Sequence, residues 1–314
     1  MSFPLKKDKL KIIVAWAGTV VILVYVVLTT DFADALEALL NTNQFLFVVT
    51  LVASVLLAWV ADSLTLHLVL RQSGFSQSFS DLLLIKGASY LLNVINYNLA
   101  LAMMATLLSR HSKKGLAKSA SPFIFVNFLD LFALGLLLLL GIAQGFRASV
   151  ALLPFAIGAV VVGPSLAYFA ERDLMPFFLK KLRDHAVFLS FRQCPPIKFI
   201  GLGLARLCFL CVYVFMTYFF LTAFHFDVPL GAVFVYQPIL AFIVFIPISV
   251  AGLGSTQVAM RYFYKDFAPK GVNPIAAVDA YSTATIVSVN ILRIVISLLC
   301  LPFASRLLNS NEKD

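Results

Sequence analysis

The chain has 314 residues, of which 61% are hydrophobic and 12% charged, with a formal net charge of +9. That composition excludes an ordinary soluble globular protein. The basic excess is scattered over connecting loops with no recognition motif beside it, so no nucleic-acid binding is expected.

Apolar windows of about 20 residues, the length that crosses a ~30 Å hydrocarbon core, recur along nearly the whole chain. They leave no room for a separate soluble domain, so 1–314 reads as a single all-α polytopic membrane domain. The first window, 12–30, follows the basic run KKDKLK. It is longer than a signal-peptide core and ends in no clean small-residue cleavage site, so it is expected to be a retained span. Further windows fall near 45–70, 82–108, 120–142, 149–170, 199–224, 230–263 and 276–303.

If all eight windows cross, the loop with Arg110, Lys113, Lys114 and Lys118 lies on the opposite side from the basic N-terminus. So does the loop with Arg172, Lys180, Lys181, Arg183, Arg192 and Lys198. Short cytoplasmic loops carry the Lys/Arg excess, so that arrangement fails. If windows three and seven instead enter and leave by one face, both basic loops become cytoplasmic, as do both termini. Loop 31–44, with Asp31, Asp34 and Glu37 and no basic residue, then faces outward.

Windows three and seven are also the two whose composition suits a break. Window three reads IKGASYLLNVINYNLALAMM, with Lys86, Asn93, Asn96 and Asn98. Window seven holds FIPISVAGLGSTQ, where Pro247 cannot donate to a helix and Gly252 and Gly254 permit tight turning. Broken backbone at membrane depth is tolerated where it lines a buried cavity. Six crossing helices and two re-entrant hairpins are therefore expected. Three crossings per half invert the second half, 149–314, relative to the first, 1–148, an architecture that recurs in transporters.

Asp62, Lys86, Asp130, Arg206, Asp279 and Arg293 fall inside apolar windows, where an ionised group costs roughly 2.5–3.5 kcal/mol on the lenient insertion scale. They are functional candidates by default. Asp62 and Arg206 are also candidates for a plain structural ion pair. Arg293 lies near the inner interface, in position to snorkel. Arg261 closely follows the Gly-rich turn and offers a guanidinium to a lipid phosphate. The longest loop, 171–198, mixes Phe177, Phe178, Leu182, Phe188 and Phe191 with basic residues, a composition for an amphipathic helix on the inner leaflet. Cys194, Cys208, Cys211 and Cys300 and the four histidines show no metal or disulfide spacing, so no metal or cofactor is expected.

Two segments carry a family resemblance. IPISVAGLGSTQ (246–257) resembles the signature near the end of the flippase-like membrane domain of lysylphosphatidylglycerol synthases, and 107–141 resembles that family's basic loop followed by a span with an acidic residue, here Asp130. The resemblance implies an integral protein of the cytoplasmic membrane that moves, or helps process, a membrane lipid or lipid-linked intermediate; with no recognisable nucleotide-sugar motif in any loop, it is not expected to be an enzyme. The alternative is an accessory or structural subunit of envelope lipid or glycolipid biosynthesis, bound to a protein partner. No aminoacyl-transferase domain follows in the sequence, so lysyl transfer is not implied. The family's Glu after the Gly-rich turn is Gln257 here. The loss of that carboxylate argues against a lysyl-lipid substrate and leaves Asn93, Asn96, Tyr97, Asn98, Ser249, Ser255, Thr256 and Gln257 to hydrogen-bond a neutral sugar or a phosphate. The candidate substrate-binding set is Asn93, Asn96, Asn98, Asp130, Arg206, Pro247, Ser249, Gly252, Gly254, Gln257, Arg261 and Asp279.

Overall fold

The computed structural model describes residues 32–95, 97–144, 151–174, 180–181, 184–245 and 255–310. The first apolar window therefore lies outside the described residues, as do Asn96, Pro247, Ser249, Gly252 and Gly254. The described residues form helices α1 (Phe32–Leu40), α2 (Gln44–Gln72), α3 (Phe79–Ile95), α4 (Tyr97–Ser112), α5 (Leu116–Ala143) and α6 (Leu153–Glu171). They continue with α7 (Leu189–Arg192), α8 (Pro196–Ala223), α9 (Leu230–Phe245), α10 (Ser255–Tyr264) and α11 (Pro274–Ser310), and include no strand. Five of them, α2, α5, α6, α8 and α11, are long and apolar enough to cross a membrane. The protein is an all-α polytopic membrane protein.

Local chemistry sets the helix boundaries. Asn43 caps α2, its side-chain oxygen accepting from the Leu46 N–H at 3.0 Å. Asn273 caps α11 in the same way through the Ile275 N–H, also at 3.0 Å. Prolines stand in the first turn of α6 and α8, where a missing N–H costs nothing. After α2 the chain turns through Gly74 at φ +72°, a left-handed conformation that glycine adopts without strain.

Hydrogen bonds between loops fix which ends lie together. At one end of the bundle the Asn43 N–H donates to Ala223 O and the Asp227 N–H to Phe267 O, at 2.9 and 3.0 Å. At the other end of α2, Lys114 Nζ donates to Gly74 O at 2.6 Å and Gln72 Nε2 to Gln193 O, also at 2.6 Å. Buried Ser73, Ser190 and Ser121 bond in a chain beside them. The segment before α3 therefore touches the segment after α4, and the segment before α9 touches the one after α10. Each pair enters and leaves by one end, and the two pairs do so from opposite ends of the bundle. α3 and α4 are 17 and 16 residues long, about 25 Å each, and pack against each other on either side of Asn96. The loops carrying Lys113, Lys114 and Arg192 gather at one end, as the charge argument requires.

Two stretches differ from the sequence expectation. The segment 31–44, read as a loop, contains α1, which packs on α11. The loop 171–198 does not lie wholly on a leaflet. Phe191 is fully buried, its ring 4.8 Å from Phe125 and 5.0 Å from Phe128, so α7 is a plug in the core and not a surface helix. Phe177, Phe178 and Leu182 lie outside the described residues.

Small residues bring the helices together, since lipid supplies no hydrophobic drive between them. A Cβ on Gly87 of α3 would come within 2.5 Å of Cys300 Sγ on α11. Beside that contact the Ser297 hydroxyl donates to Ala88 O at 2.8 Å and accepts from the Leu91 N–H at 3.3 Å. This clasp binds the first hairpin to the last span.

Candidate functional site: a charged cavity between two hairpins

Four helices each bring one ionised side chain to a buried cluster: Asp62 from α2, Lys86 from α3, Asp130 from α5 and Arg206 from α8. Arg206 Nε donates to Asp130 Oδ1 and its Nη2 to Asp130 Oδ2 at 3.1 Å, a bidentate grip. Its Nη1 reaches Asp62 Oδ1 and the Thr65 hydroxyl, the latter at 3.0 Å. Lys86 Nζ closes the cluster on Asp62 Oδ2 at 2.5 Å. The Phe209 ring lies 4.0 Å from the Arg206 guanidinium carbon, within cation–π range. Two carboxylates face two cations, so the cluster is neutral, which makes it tolerable in a low-dielectric interior.

A second pair lies on the second hairpin. Arg261 of α10 grips Asp279 of α11 through Nε–Oδ1 at 2.6 Å and Nη2–Oδ2 at 2.7 Å. One turn earlier, Gln257 Nε2 donates to the Thr283 hydroxyl at 3.0 Å. These contacts tie α10 along α11. Because its forked donors already face a carboxylate, Arg261 is not the guanidinium that lies open to a phosphate.

Between the hairpins is a cavity of about 390 Å³ to which α2, α3, α4, α5, α8, α9, α10 and α11 all contribute. Its floor carries the four-residue cluster. Its walls include Tyr90 and Asn93 of α3, Tyr97 of α4, Tyr213 of α8, Gln237 of α9, Thr256 of α10, and Thr285, Asn290 and Arg293 of α11. Arg293 does not snorkel to the interface. It points into the cavity wall, 5.6 Å from the Tyr90 ring and within hydrogen-bond reach of the Tyr213 oxygen. Among the described residues no carboxylate lies within ion-pair distance of it.

Of the sequence-predicted site, Asn93, Asp130 and Arg206 meet at this cavity, and Gln257, Arg261 and Asp279 sit behind its α10–α11 wall. Asn98 lies on α4, its side chain outside the described set, and Asp130 and Asp279 stand in two separate Arg–Asp pairs. Tyr90, Thr285 and Asn290 were not among the sequence candidates, and Arg293 was one only as a charge in an apolar window; Tyr90, Thr285 and Arg293 had a further signal in their spacing. Lys86, Tyr90 and Asn93 recur at intervals of four and three, as do Thr285, Val289 and Arg293 at four, which places each set on one helix face.

Helix pairs that enter from opposite ends around a charged interior define an all-α polytopic membrane protein with a buried polar cavity. The chain belongs to the family of the lysylphosphatidylglycerol synthase transmembrane region, whose family model matches residues 10–289. No curated protein and no solved structure matches it.

Proposed function

We propose that the protein is a lipid translocase of the cytoplasmic membrane, moving a phospholipid or polyprenyl-linked intermediate between leaflets through the polar space between its hairpins. The observation that carries this reading is the charged cavity inside an otherwise apolar body, walled by hairpins that open at opposite ends. Its roughly 390 Å³ is near the lower end of the ~300–1,000 Å³ range of ligand pockets, room for a headgroup but not for two acyl chains. The outer faces of α2, α6 and α11 expose Leu57, Val161, Ile291 and Leu298, apolar surface against which acyl chains stay in lipid while the headgroup travels inside.

The end that gathers the basic loops faces the cytoplasm in this reading, with both termini there. The halves 1–148 and 149–314 act as inverted repeats, and access alternates by rocking one hairpin bundle against the other. The sequence holds no GxxxxGK[ST] loop, so net accumulation draws on an ion gradient or a partner protein.

Reconstitution of the full chain into vesicles with fluorescent lipid, read by chemical bleaching of the outer leaflet, tests the proposal. Protein-containing vesicles should bleach beyond the outer-leaflet fraction, and Asp130→Ala should slow the second phase. Equal bleaching of protein-containing and empty vesicles across glycerophospholipids and polyprenyl phosphates would overturn it.

A further inference from the structure

We propose that Arg293 is an oxyanion site, so that the cavity takes a headgroup with one net negative charge, a phosphodiester carrying a neutral hydrogen-bonding group, and disfavours a cationic one. This rests on the translocase reading for the lipid origin of the ligand, while the oxyanion chemistry stands on the cavity alone.

The charge of the wall points to it. Its side chains carry three cations, Lys86, Arg206 and Arg293, against two carboxylates, Asp62 and Asp130. Both carboxylates are occupied by Arg206 and Lys86, so Arg293 is the excess charge. In sequence, 246–254 contains no ionisable side chain and 12–30 no acidic one, so no undescribed part of a membrane window brings in the missing carboxylate. An ionised group at membrane depth without a counter-charge is costly, and a phosphate supplies that counter-charge with oxygens matched to the guanidinium fork. An ammonium headgroup finds no free carboxylate here.

The same face of α11 also suggests what else the ligand carries. Asn290 lies almost one turn before Arg293, and Thr285 lies eight residues before it, about 12 Å along the axis. The hydroxyls of Thr285 and of Thr256 on the facing α10 are buried with no hydrogen-bond partner among the described residues. Buried polar atoms are normally bonded. A neutral polyol or sugar reaching from a phosphate at Arg293 toward these threonines would provide the missing partners once the side chains rotate toward it.

Equilibrium binding to the purified full chain in a neutral detergent tests this without any transport measurement. The probes are short-chain phosphatidylglycerol, phosphatidylcholine of the same chain length, lysylphosphatidylglycerol and soluble glycerol phosphate. Phosphatidylglycerol should bind about tenfold or more tightly than phosphatidylcholine, the scale of one charge-assisted contact, and lysylphosphatidylglycerol should bind more weakly than phosphatidylglycerol. Arg293→Gln should erase the preference, Arg293→Lys should keep part of it, and Lys118→Gln, which removes an exposed charge of the same sign, should leave it intact. If Arg293→Gln does not fold, the wild-type ranking and the lysine variant still decide. Binding of glycerol phosphate through Arg293 without lipid binding keeps the oxyanion site and assigns it a soluble ligand. Equal binding of zwitterionic and anionic lipid, tighter binding of the lysyl lipid, or a preference unchanged in Arg293→Gln overturns the proposal. Anion preference without flipping would sink the translocase reading alone, and flipping without charge preference would sink this one alone.

Discussion

The two buried ion-pair sites solve the same problem at different scale. In the first, one guanidinium serves two carboxylates from different helices, and a lysine completes neutrality, so α2, α3, α5 and α8 are locked through Arg206. In the second, one arginine meets one aspartate across a single helix contact, α10 on α11. The first is a hub whose members depend on one another. The second is a local fastener between α10 and α11.

Removing Arg206 should therefore have the largest effect. Arg206→Met leaves Asp62 with Lys86 alone and Asp130 with no cation, and breaking a buried pair typically costs about 3–5 kcal/mol. The expected outcome is loss of the folded, monodisperse species in detergent, read by size-exclusion chromatography and thermal unfolding. Asp279→Leu should cost less, about 3 kcal/mol, since it breaks one ion pair across one helix contact. Its effect should be confined to α10, visible as faster hydrogen exchange over 255–264 with little change in α2 or α5. Combining it with Arg261→Met should restore most of the lost stability, because an apolar pair of similar volume often replaces a buried ion pair without net cost. The same double replacement at Asp130 and Arg206 should restore less, since it leaves Asp62 and Lys86 as a neutral pair but removes the Arg206–Asp62 contact that ties α2 to α8. Gly87→Ala comes next, at about 1–3 kcal/mol from overpacking against Cys300. Pairing it with Cys300→Ala should relieve it, as measured by melting temperature.

Much of this was legible in the chain. The windows at 45–70, 120–142, 149–170, 199–224 and 276–303 correspond to α2, α5, α6, α8 and α11, because a hydrocarbon slab imposes one length on every span. Window three turns back on itself between α3 and α4, in the run singled out for its asparagines, and the gathering of Lys114 and Arg192 at one end follows from where cations are placed relative to a membrane. Partnerships were legible only in part: Asp62 with Arg206 was a candidate ion pair, whereas Arg206 with Asp130 and Lys86 with Asp62 were not foreseen. Arg206 meets Asp130 and Asp62 across 76 and 144 positions of sequence, and no local pattern encodes such distances. The inward face of α11 was legible only through the spacing of Thr285 and Arg293, because a helix that is apolar nearly all round gives little amphipathic cue to its rotation. Phe191 illustrates the converse: beside basic residues, an aromatic looks the same in sequence whether a membrane or a protein core covers it.

The smallest expected change in stability is also the one that most sharpens the comparison. Gln257 lies four residues before Arg261 on α10 and is buried beside the fastener, at the position where the family resemblance places a glutamate. Gln257→Glu adds a second carboxylate within one helical turn of Arg261, the spacing at which side chains of opposite charge meet. The second site then acquires two carboxylates for one guanidinium, the acidic half of the first hub without its lysine. Arg261, already shared with Asp279, offsets part of the new charge's desolvation, and the α10–α11 wall gains one net negative charge. That charge supplies what the present cavity lacks for an ammonium headgroup. The variant should bind lysylphosphatidylglycerol more tightly than the parent chain does, with phosphatidylglycerol weakened or unchanged, in the same equilibrium assay. An unaltered ranking would mean that the α10–α11 wall does not reach the headgroup and that selectivity lies wholly on the Arg293 side of the cavity.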